Sequence, residues 1–187
     1  NGRIWTEEQE IPEPRAGQLL IEVRASMISP GTELGGVKTR RANPTPNPTK
    51  RPFGYSNAGI VIDKRGDCGE FEIGDRVSGM GGGYALHATH ACMPNNLCAK
   101  IPDNVSDEEA ASNHLAATAL HAVQRGRIVL GENVVVAGLG VVGQLACQIA
   151  QIAGAYVMGI DRLPLRVKIA QEAGVHRAIN VAEKDPV

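Results

Sequence analysis

The sequence predicts an α/β protein that begins with a small β barrel. Two patterns along its 187 residues support this fold class. Up to about residue 105, short apolar stretches alternate with Gly, Pro, Asn and Asp, which is typical of antiparallel strands joined by turns. Beyond that point, helical periodicity alternates with short β-branched stretches, which is typical of a parallel sheet covered by helices. We therefore expect a barrel domain at residues 1–112 and a doubly wound domain at residues 113–187.

The first domain contains one clear strand with a single buried face. Between residues 18 and 25, the apolar residues Leu19, Ile21 and Val23 occupy alternate positions. The further expected elements are a strand at residues 57–62, a turn at 71–77, and a strand leading to 81–85. Short strands separated by turns in this way predict the barrel.

The segment from Lys38 to Arg51 lies between the first two strands and is rich in Pro, Asn and basic residues. Pro and Asn interrupt regular structure, so we expect a loop. Its basic residues are Lys38, Arg40, Arg41, Lys50 and Arg51. They either steer an anionic group of a ligand towards the protein or form an ordinary solvated surface, and the second interpretation is favoured.

A helix is expected to start at Ser106, because Ser106 and Glu109 have the spacing of a capping box and an alanine-rich stretch follows through His121. The expected order thereafter is a strand at residues 134–137, a helix closed by Gly154, a strand at 156–160, a helix from Pro164 to Gly174, and a strand at 178–180. Such a unit is half of a doubly wound sheet. It leaves an edge strand unpaired, so we expect a further C-terminal portion or an assembly that covers the edge.

Three glycines follow the strand at residues 134–137 directly. Gly138 permits a tight turn, Gly140 allows close approach of a pyrophosphate, and Gly143 allows the helix to pack on the strand. The helix start also presents N–H groups and a positive dipole end to a phosphate. A flexible hairpin is the alternative, but the strand, the glycines and the helix coincide. We therefore expect a dinucleotide site at Gly138, Leu139, Gly140, Val141, Val142 and Gly143.

An acidic residue, Asp161, follows the second strand of this domain. It lies slightly more than twenty residues beyond the first glycine, where a dinucleotide fold places the acceptor for the adenosine ribose hydroxyls. The alternative is a helix cap before Pro164. A carboxylate repels a 2'-phosphate, so we predict NAD, although the neighbouring Arg162 leaves NADP possible.

Composition excludes several classes of protein. Lys and Arg number 19 against 20 Asp and Glu, and aromatic residues make up 3%, so no nucleic-acid partner is expected. No apolar run approaches the roughly eighteen residues of a membrane span. No signal peptide is evident, although the chain starts at Asn1 rather than Met. The four cysteines have no metal-binding spacing, and a cytoplasmic protein is expected.

Several motifs occur in an order that resembles one family. They are the turn at residues 12–14, the segments 71–77, 82–85, 100–102 and 118–122, and the glycine loop. Their order is similar to that of the medium-chain dehydrogenase/reductase superfamily, which includes alcohol dehydrogenases and quinone reductases. The resemblance implies a GroES-like barrel followed by a Rossmann domain. It also implies an enzyme that uses a nicotinamide cofactor, with Thr118 against the nicotinamide.

Members of this superfamily with a catalytic zinc hold it through Cys and His ligands. The resemblance places Ser29, Tyr55 and His114 at the corresponding positions. Catalytic zinc favours thiolate and imidazole ligands, and a tyrosine phenol ionises only near a pKa of about 10. The family's four-cysteine structural zinc lobe is absent as well. We therefore expect no zinc and no metal-ligating residues.

Without zinc, hydrogen-bond donors must polarise a substrate carbonyl. Tyr55 is the first candidate, followed by Ser29, Thr32 and His114, and one well-aimed donor is worth about 2.7 to 4 kcal/mol. The alternative is that Tyr55 packs beneath the barrel, that the hydroxyls satisfy backbone groups, and that His114 is a partly buried structural imidazole. The structural interpretation is favoured for His114, and His87, His90 and His121 are expected to be structural.

The function predicted from these features is a zinc-free, NAD-dependent oxidoreductase that acts on a small alcohol, sugar-like alcohol, ketone or enone. Alcohol oxidation and enone reduction both stay open. The alternative is a non-catalytic dinucleotide-binding sensor or structural protein, in which the metal ligands have been lost and the glycine loop kept. A small-molecule partner and a homo-oligomer are expected from the resemblance.

Overall fold

The computed structural model describes residues 1–184. The chain divides into two compact units, one from Asn1 to His114 and the other starting at Leu115. The division falls inside one helix, Asn113–Arg125. Each unit has a hydrophobic core cluster of its own, so each can be understood from its own residues.

The first unit is built on a five-stranded antiparallel sheet. Its strands are β1 (Gln18–Ser26), β2 (Ser56–Arg65), β3 (Arg76–Met80), β4 (His90–Pro94) and β5 (Cys98–Lys100), in the order β4-β1-β2-β3-β5. Buried residues from four strands meet in one core, which includes Leu19, Ile21, Val61, Val77 and Met93. Alternate strand positions therefore face the core, as the period of two in the sequence predicts.

The strands expected at residues 18–25 and 57–62 are confirmed by β1 and β2, and β2 continues to Arg65. The strand expected to lead to residues 81–85 is β3, which ends at Met80 before a turn. Closure of the sheet into a barrel stays a prediction, because the described pairings give a linear strand order.

The expected loop at residues 38–51 is wrong over its first part. Helix α1 spans Gly35–Ala42. Within it the Thr39 hydroxyl donates to the Gly35 carbonyl at 3.0 Å, and Val37 is buried on the inner face. The buried Val37 side chain and the helical backbone hydrogen bonds therefore outweigh the polar composition that predicted a loop.

The capping box expected at Ser106 is confirmed. The Ser106 hydroxyl accepts from the Glu109 N–H at 3.2 Å, and the Glu109 carboxylate accepts from the Ser106 N–H at 2.9 Å. The single alanine-rich helix expected after it is instead two helices, α2 (Asp107–Ala110) and α3 (Asn113–Arg125).

Two buried serines of the sheet account for the break between α2 and α3. The Ser78 hydroxyl donates to the Ala110 carbonyl, and the Ser56 hydroxyl donates to the Ala111 carbonyl, both at 2.6 Å. These bonds hold the carbonyls at the end of α2 against the strands β2 and β3. The chain therefore turns before α3 begins.

The second unit contains a three-stranded parallel sheet and two helices. Its elements in chain order are β6 (Asn133–Ala137), α4 (Val141–Ile152), β7 (Tyr156–Asp161), α5 (Pro164–Glu172) and β8 (Arg177–Asn180). The strands pair in the order β6-β7-β8, and this β-α-β-α-β unit confirms the α/β, Rossmann-like sheet expected from the sequence. None of the helices in residues 1–184 has the length and apolarity that crossing a membrane requires.

Candidate nucleotide-binding and catalytic residues

The backbone turn between β6 and α4 requires glycine at two positions. Gly138 has a φ of +93°, which residues with a side chain rarely adopt. Its N–H donates to the Ile160 carbonyl at 2.8 Å, which ties the turn to β7. A Cβ built at Gly143 would overlap the Gly138 carbonyl oxygen. Helix α4 can therefore pack against the turn only when residue 143 is glycine.

The first turn of α4 presents backbone donors. Gly140 is the N-cap in an extended conformation, and no side chain caps the helix. The Gly140 carbonyl accepts from the Gln144 N–H at 2.8 Å. The N–H groups of Val141, Val142 and Gly143 precede the first intrahelical bond and have no acceptor within the helix. Together with the positive end of the helix dipole, they form a site suited to a phosphate.

Asp161 ends β7 and contacts the glycine turn. Its Oδ2 accepts from the Leu139 N–H at 2.7 Å and lies 3.4 Å from the Arg166 guanidinium. Its Oδ1 accepts from the Leu163 N–H at 2.9 Å. Asp161 is 8% exposed. The buried carboxylate therefore links the glycine turn to the segment that starts α5.

These donors determine the charge of Asp161. Burial by itself would raise the pKa of the Asp161 carboxyl, but hydrogen bonds from the Leu163 and Leu139 N–H groups, with the Arg166 guanidinium, lower that pKa below its ordinary value. Asp161 is therefore an anion at neutral pH. A carboxylate has about four acceptor positions, and the donors to Asp161 are the N–H groups of Leu139, Leu163 and Arg162 together with the Arg166 guanidinium.

Two arginines flank the Asp161 carboxylate. Arg162 and Arg166 line an open cleft of about 560 Å³, together with Ala137, Gly138, Asp161 and Ala182. Arg162 was predicted from the sequence, and Arg166 was missed. The signal for Arg166 was its place in the first turns of α5, immediately after the strand that ends in Asp161. The cleft therefore combines one buried anion with two exposed cations.

Leu139 is connected to this cleft through the bond of its backbone N–H to Asp161. Its N–H is bound to Asp161, and its side chain is 1% exposed in the core. A Cβ built at Gly159 would lie 2.7 Å from the Leu139 Cδ2, so the absence of a side chain at residue 159 makes room for this leucine. Leu139 therefore anchors the glycine turn, and its predicted contact with a cofactor stays a prediction.

Two of the predicted catalytic residues meet in the first unit. The rings of Tyr55 and His114 lie edge to face, with centroids 4.6 Å apart. Tyr55 immediately precedes β2, and its carbonyl accepts from the Gly81 N–H at 2.9 Å. The Ser56 hydroxyl holds the segment just before His114 through the Ala111 carbonyl. Strand β2 therefore positions both rings, and both are partly exposed.

The other two predicted catalytic residues lie in a helical turn, Pro30–Leu34. Ser29 caps this turn and is 6% exposed, and its hydroxyl accepts from the Thr32 N–H at 3.5 Å. The Ser29 N–H donates to the Glu33 carboxylate at 2.7 Å. Thr32 is exposed. Ser29 therefore has a capping role in the structure, and Thr32 is the more accessible hydroxyl of the two.

Sequence reasoning missed the partners of Glu33. Its Oε1 lies 3.1 Å from the Nε2 of His87, and the Nδ1 of His87 lies 3.0 Å from the Ser26 hydroxyl. Glu33 is 8% exposed, whereas Ser26 is exposed. His87 is 54 residues from Glu33 in sequence, so no local pattern indicates the contact. We name Ser26, His87 and Glu33 the serine–histidine–glutamate cluster.

Comparison with known proteins finds dehydrogenases that the chain resembles. The family model described as zinc-binding dehydrogenase matches residues 141–187. The L-threonine 3-dehydrogenase of Deinococcus radiodurans is 30% identical over 209 residues, and the match covers 97% of this chain. These matches lie in the medium-chain dehydrogenase/reductase superfamily, which the chain resembles. The chain spans about 60% of the length of the curated relatives it matches.

Solved structures of oxidoreductases resemble the chain as well. The Escherichia coli quinone oxidoreductase, whose structure is a complex with NADPH, has a TM-score of 0.76 and 25% identity over 96% of this chain and 55% of its own. A zinc-binding dehydrogenase from Sinorhizobium meliloti, described as putative and bound to NADP, has a TM-score of 0.86 and 23% identity over 98% of this chain and 60% of its own. The second likeness concerns the fold alone.

The resemblance places a hydroxyl, a phenol and an imidazole at the superfamily positions that hold catalytic zinc. They are Ser29, Tyr55 and His114, and zinc prefers thiolate and imidazole. Within residues 1–184, no group of three or more His, Cys, Asp or Glu side chains is arranged to hold a metal ion. The absence of zinc stays a prediction from the chemistry of these three side chains. Thr118, the position of the superfamily expected against the nicotinamide, lies on α3 and is exposed.

Proposed function

We propose that this chain serves a nicotinamide-dependent oxidoreductase, which transfers a hydride between NAD(P) and a small alcohol, ketone or enone without catalytic zinc. The observation that carries the proposal is the coupling of the glycine turn to Asp161. The Leu139 N–H donates to Asp161, and Gly143 lets α4 approach the turn. The names of the relatives, dehydrogenases and quinone oxidoreductases, support the same reaction class.

The residues of the second unit fit a dinucleotide. In this proposal the N–H groups of Val141, Val142 and Gly143 hold the pyrophosphate, and the Asp161 carboxylate takes a ribose hydroxyl in place of one of its present donors. A bound nicotinamide would supply or accept the hydride. Thr118 is proposed as a further contact of the cofactor.

We propose a preference for NAD over NADP. The buried Asp161 anion repels a 2'-phosphate, and one charge-assisted hydrogen bond is worth about 1.5 to 3 kcal/mol, which corresponds to a preference of about tenfold or more. Arg162 and Arg166 reduce the preference, because both line the same cleft. Isothermal titration with NAD and NADP tests this order of affinity, and tighter binding of NADP would refute it.

Tyr55 is the proposed proton donor or oxyanion partner of the first unit. Its phenol is partly exposed beside His114, whereas Ser29 is buried in a cap, so Thr32 and His114 are the next candidates. Replacing Tyr55 with Phe keeps the ring contact with His114 and removes the hydroxyl. We expect turnover to fall by about 10² or more with unchanged cofactor affinity. Unchanged turnover would remove Tyr55 from the mechanism.

The absence of catalytic zinc is proposed from the donor set alone. Elemental analysis of the purified protein should find no stoichiometric zinc, and about one zinc per chain, bound firmly through dialysis, would overturn this part of the proposal. The control is Cys98→Ser, because the burial that raises the pKa of the Cys98 thiol to about 12 disfavours the thiolate that zinc requires. If wild type and this variant retain the same amount of zinc, Cys98 is excluded as a zinc ligand.

A non-catalytic dinucleotide-binding protein is the second candidate. The burial of Ser29 in a helix cap favours it, because one predicted catalytic hydroxyl is then committed to the fold. A panel of L-threonine, polyols, ketones, enones and quinones discriminates the two functions when absorbance follows reduction of NAD(P)⁺ by the alcohols and oxidation of NAD(P)H by the carbonyl compounds and quinones. Turnover of any panel member supports the enzyme. Cofactor binding without turnover supports the second candidate, and a homo-oligomeric, cytoplasmic protein is proposed in either case.

A further inference from the structure

The serine–histidine–glutamate cluster of the first unit places a buried carboxylate at one end and an accessible hydroxyl at the other. His87 lies between them, with Nε2 3.1 Å from the Glu33 carboxylate and Nδ1 3.0 Å from the Ser26 hydroxyl. Glu33 is held in place by the Ser29 N–H and is 8% exposed. Both nitrogens of one imidazole are therefore engaged, and the hydroxyl faces solvent.

The protonation of the cluster follows from its partners. A carboxylate can only accept, so the Nε2 of His87 carries the hydrogen that binds Glu33. In the neutral ring the other nitrogen, Nδ1, then has a lone pair and accepts from the Ser26 O–H. The proton of Ser26 therefore points at a base, and the base is oriented by a carboxylate. This is the relation of nucleophile, base and orienting acid that is recognised by geometry rather than by position in the sequence.

We propose that Ser26 is an acyl-acceptor site, activated by His87 and Glu33, whose substrates are activated esters of small carboxylic acids. In the reaction the Ser26 Oγ forms a bond to the carbonyl carbon, and its proton moves to the Nδ1 of His87. The bond from the carbonyl carbon to the leaving oxygen then breaks, and that oxygen takes the proton. The products are O-acyl-Ser26 and an alcohol or phenol. This activity uses no nicotinamide cofactor, so it is independent of the proposed function.

The full chain treated with p-nitrophenyl acetate tests the inference. Release of p-nitrophenolate is followed by absorbance, and the acetylated residue is located by peptide mass spectrometry. We expect acetyl-Ser26 as the main product. Ser26→Ala should abolish it, His87→Asn should slow it by about 10² or more, and Glu33→Gln should slow it by about tenfold, because general-base catalysis contributes about 10² to 10⁴.

The chain offers a matched control. His90 Nδ1 lies 3.1 Å from the Thr89 hydroxyl, and the described contacts of residues 1–184 give His90 no carboxylate partner. Thr89→Ser therefore produces a serine beside an imidazole without the orienting acid, and this serine should acylate at the background rate. Equal acylation of Ser26 and of this control serine would overturn the proposal.

Folding is checked separately from reactivity. Ser26 is exposed, so Ser26→Ala should leave the thermal melt by circular dichroism unchanged. If His87→Asn unfolds the first unit, the ratio of acetylation at Ser26 to acetylation at residue 89 in the Thr89→Ser variant still decides the question, as does the Glu33→Gln variant. Full acetylation of Ser26 in a folded Glu33→Gln variant would show that the carboxylate plays no part and would contradict the inference.

Discussion

Asp161 and Glu33 are both 8% exposed carboxylates, and each holds a turn of the backbone, but their partners differ in kind. Asp161 accepts from two backbone N–H groups and an arginine, which are donors at every ordinary pH. Glu33 accepts from one backbone N–H and from His87, whose donors depend on its proton. The donors to Asp161 are permanent, and we propose that this carboxylate serves cofactor binding. Glu33 is paired with His87 and is proposed to orient the proton that this histidine exchanges.

The turns held by Asp161 and Glu33 differ most in the space around their glycines. A substitution at one of these glycines is expected to have the largest effect on stability. Gly143→Ala should destabilise the second unit by about 3 kcal/mol or more and abolish cofactor binding, because its Cβ would overlap backbone at Gly138. Gly31→Ala, in the turn that Glu33 holds, is the matched control, since nothing lies within 4 Å of its built Cβ. Urea unfolding compares them, and equal stability of the two variants would contradict the assigned packing.

Removing the fixed anion should have the next largest effect. Asp161→Ala leaves the buried N–H of Leu139 and the partly buried N–H of Leu163 without an acceptor, at about 1 to 3 kcal/mol for the buried one and less for the other. We expect a loss of about 2 to 4 kcal/mol in the free energy of unfolding, together with weaker binding of NAD. Asp161→Asn keeps one side-chain oxygen and should recover part of the stability. A stability loss equal in both variants would show that hydrogen bonding by residue 161 is unimportant.

The pH dependence of stability tests whether the Asp161 charge is fixed. Its pKa is lowered in the folded protein, so its contribution is fully present above the unfolded value of about 3.9 and is lost as pH falls through the lower folded value. The stability difference between wild type and Asp161→Asn should therefore be constant near neutrality and shrink below about pH 4. Chemical unfolding across this pH range measures the stability difference. A difference that grows on acidification would contradict a lowered pKa of Asp161.

The smallest expected effect concerns Arg166. Its side chain is about half exposed, so Arg166→Ala should change stability by less than about 1 kcal/mol. The same change removes a cation from the cleft and should raise the ratio of NAD to NADP affinity several-fold. Lys168→Ala on the same helix, whose exposed ion pair with Glu172 lies outside this cleft, is the control. A ratio that is identical in the two variants would exclude Arg166 from cofactor selection.

Local patterns were enough to predict the second unit. The positions of Gly138, Gly143 and Asp161 follow from steric and electrostatic requirements within a short stretch of chain, and the structure has the turn and the strands where the spacing predicted them. The capping box at Ser106 is local for the same reason. Arg166 was missed because its role depends on the direction in which α5 leaves the strand, which no spacing rule describes.

The first unit was predicted less completely, because its contacts join distant parts of the chain. The helix at residues 35–42 depends on one buried side chain, Val37, and a polar composition concealed it. The break after α2 depends on Ser56 and Ser78, which lie on separate strands. The contact of His87 with Glu33 likewise exists only after the sheet has formed. The roles of Tyr55, Ser29, Thr32 and His114 stay predictions.

The fit of Leu139 against Gly159 has a consequence for reading relatives of this chain. The Leu139 side chain fills the space beside Gly159, because a side chain at residue 159 would meet the Leu139 methyl group. A larger residue at position 159 should therefore be accompanied by a smaller one at position 139, so the two positions should covary in an alignment. A relative with alanine at residue 159, for example, should carry a residue shorter than leucine at residue 139.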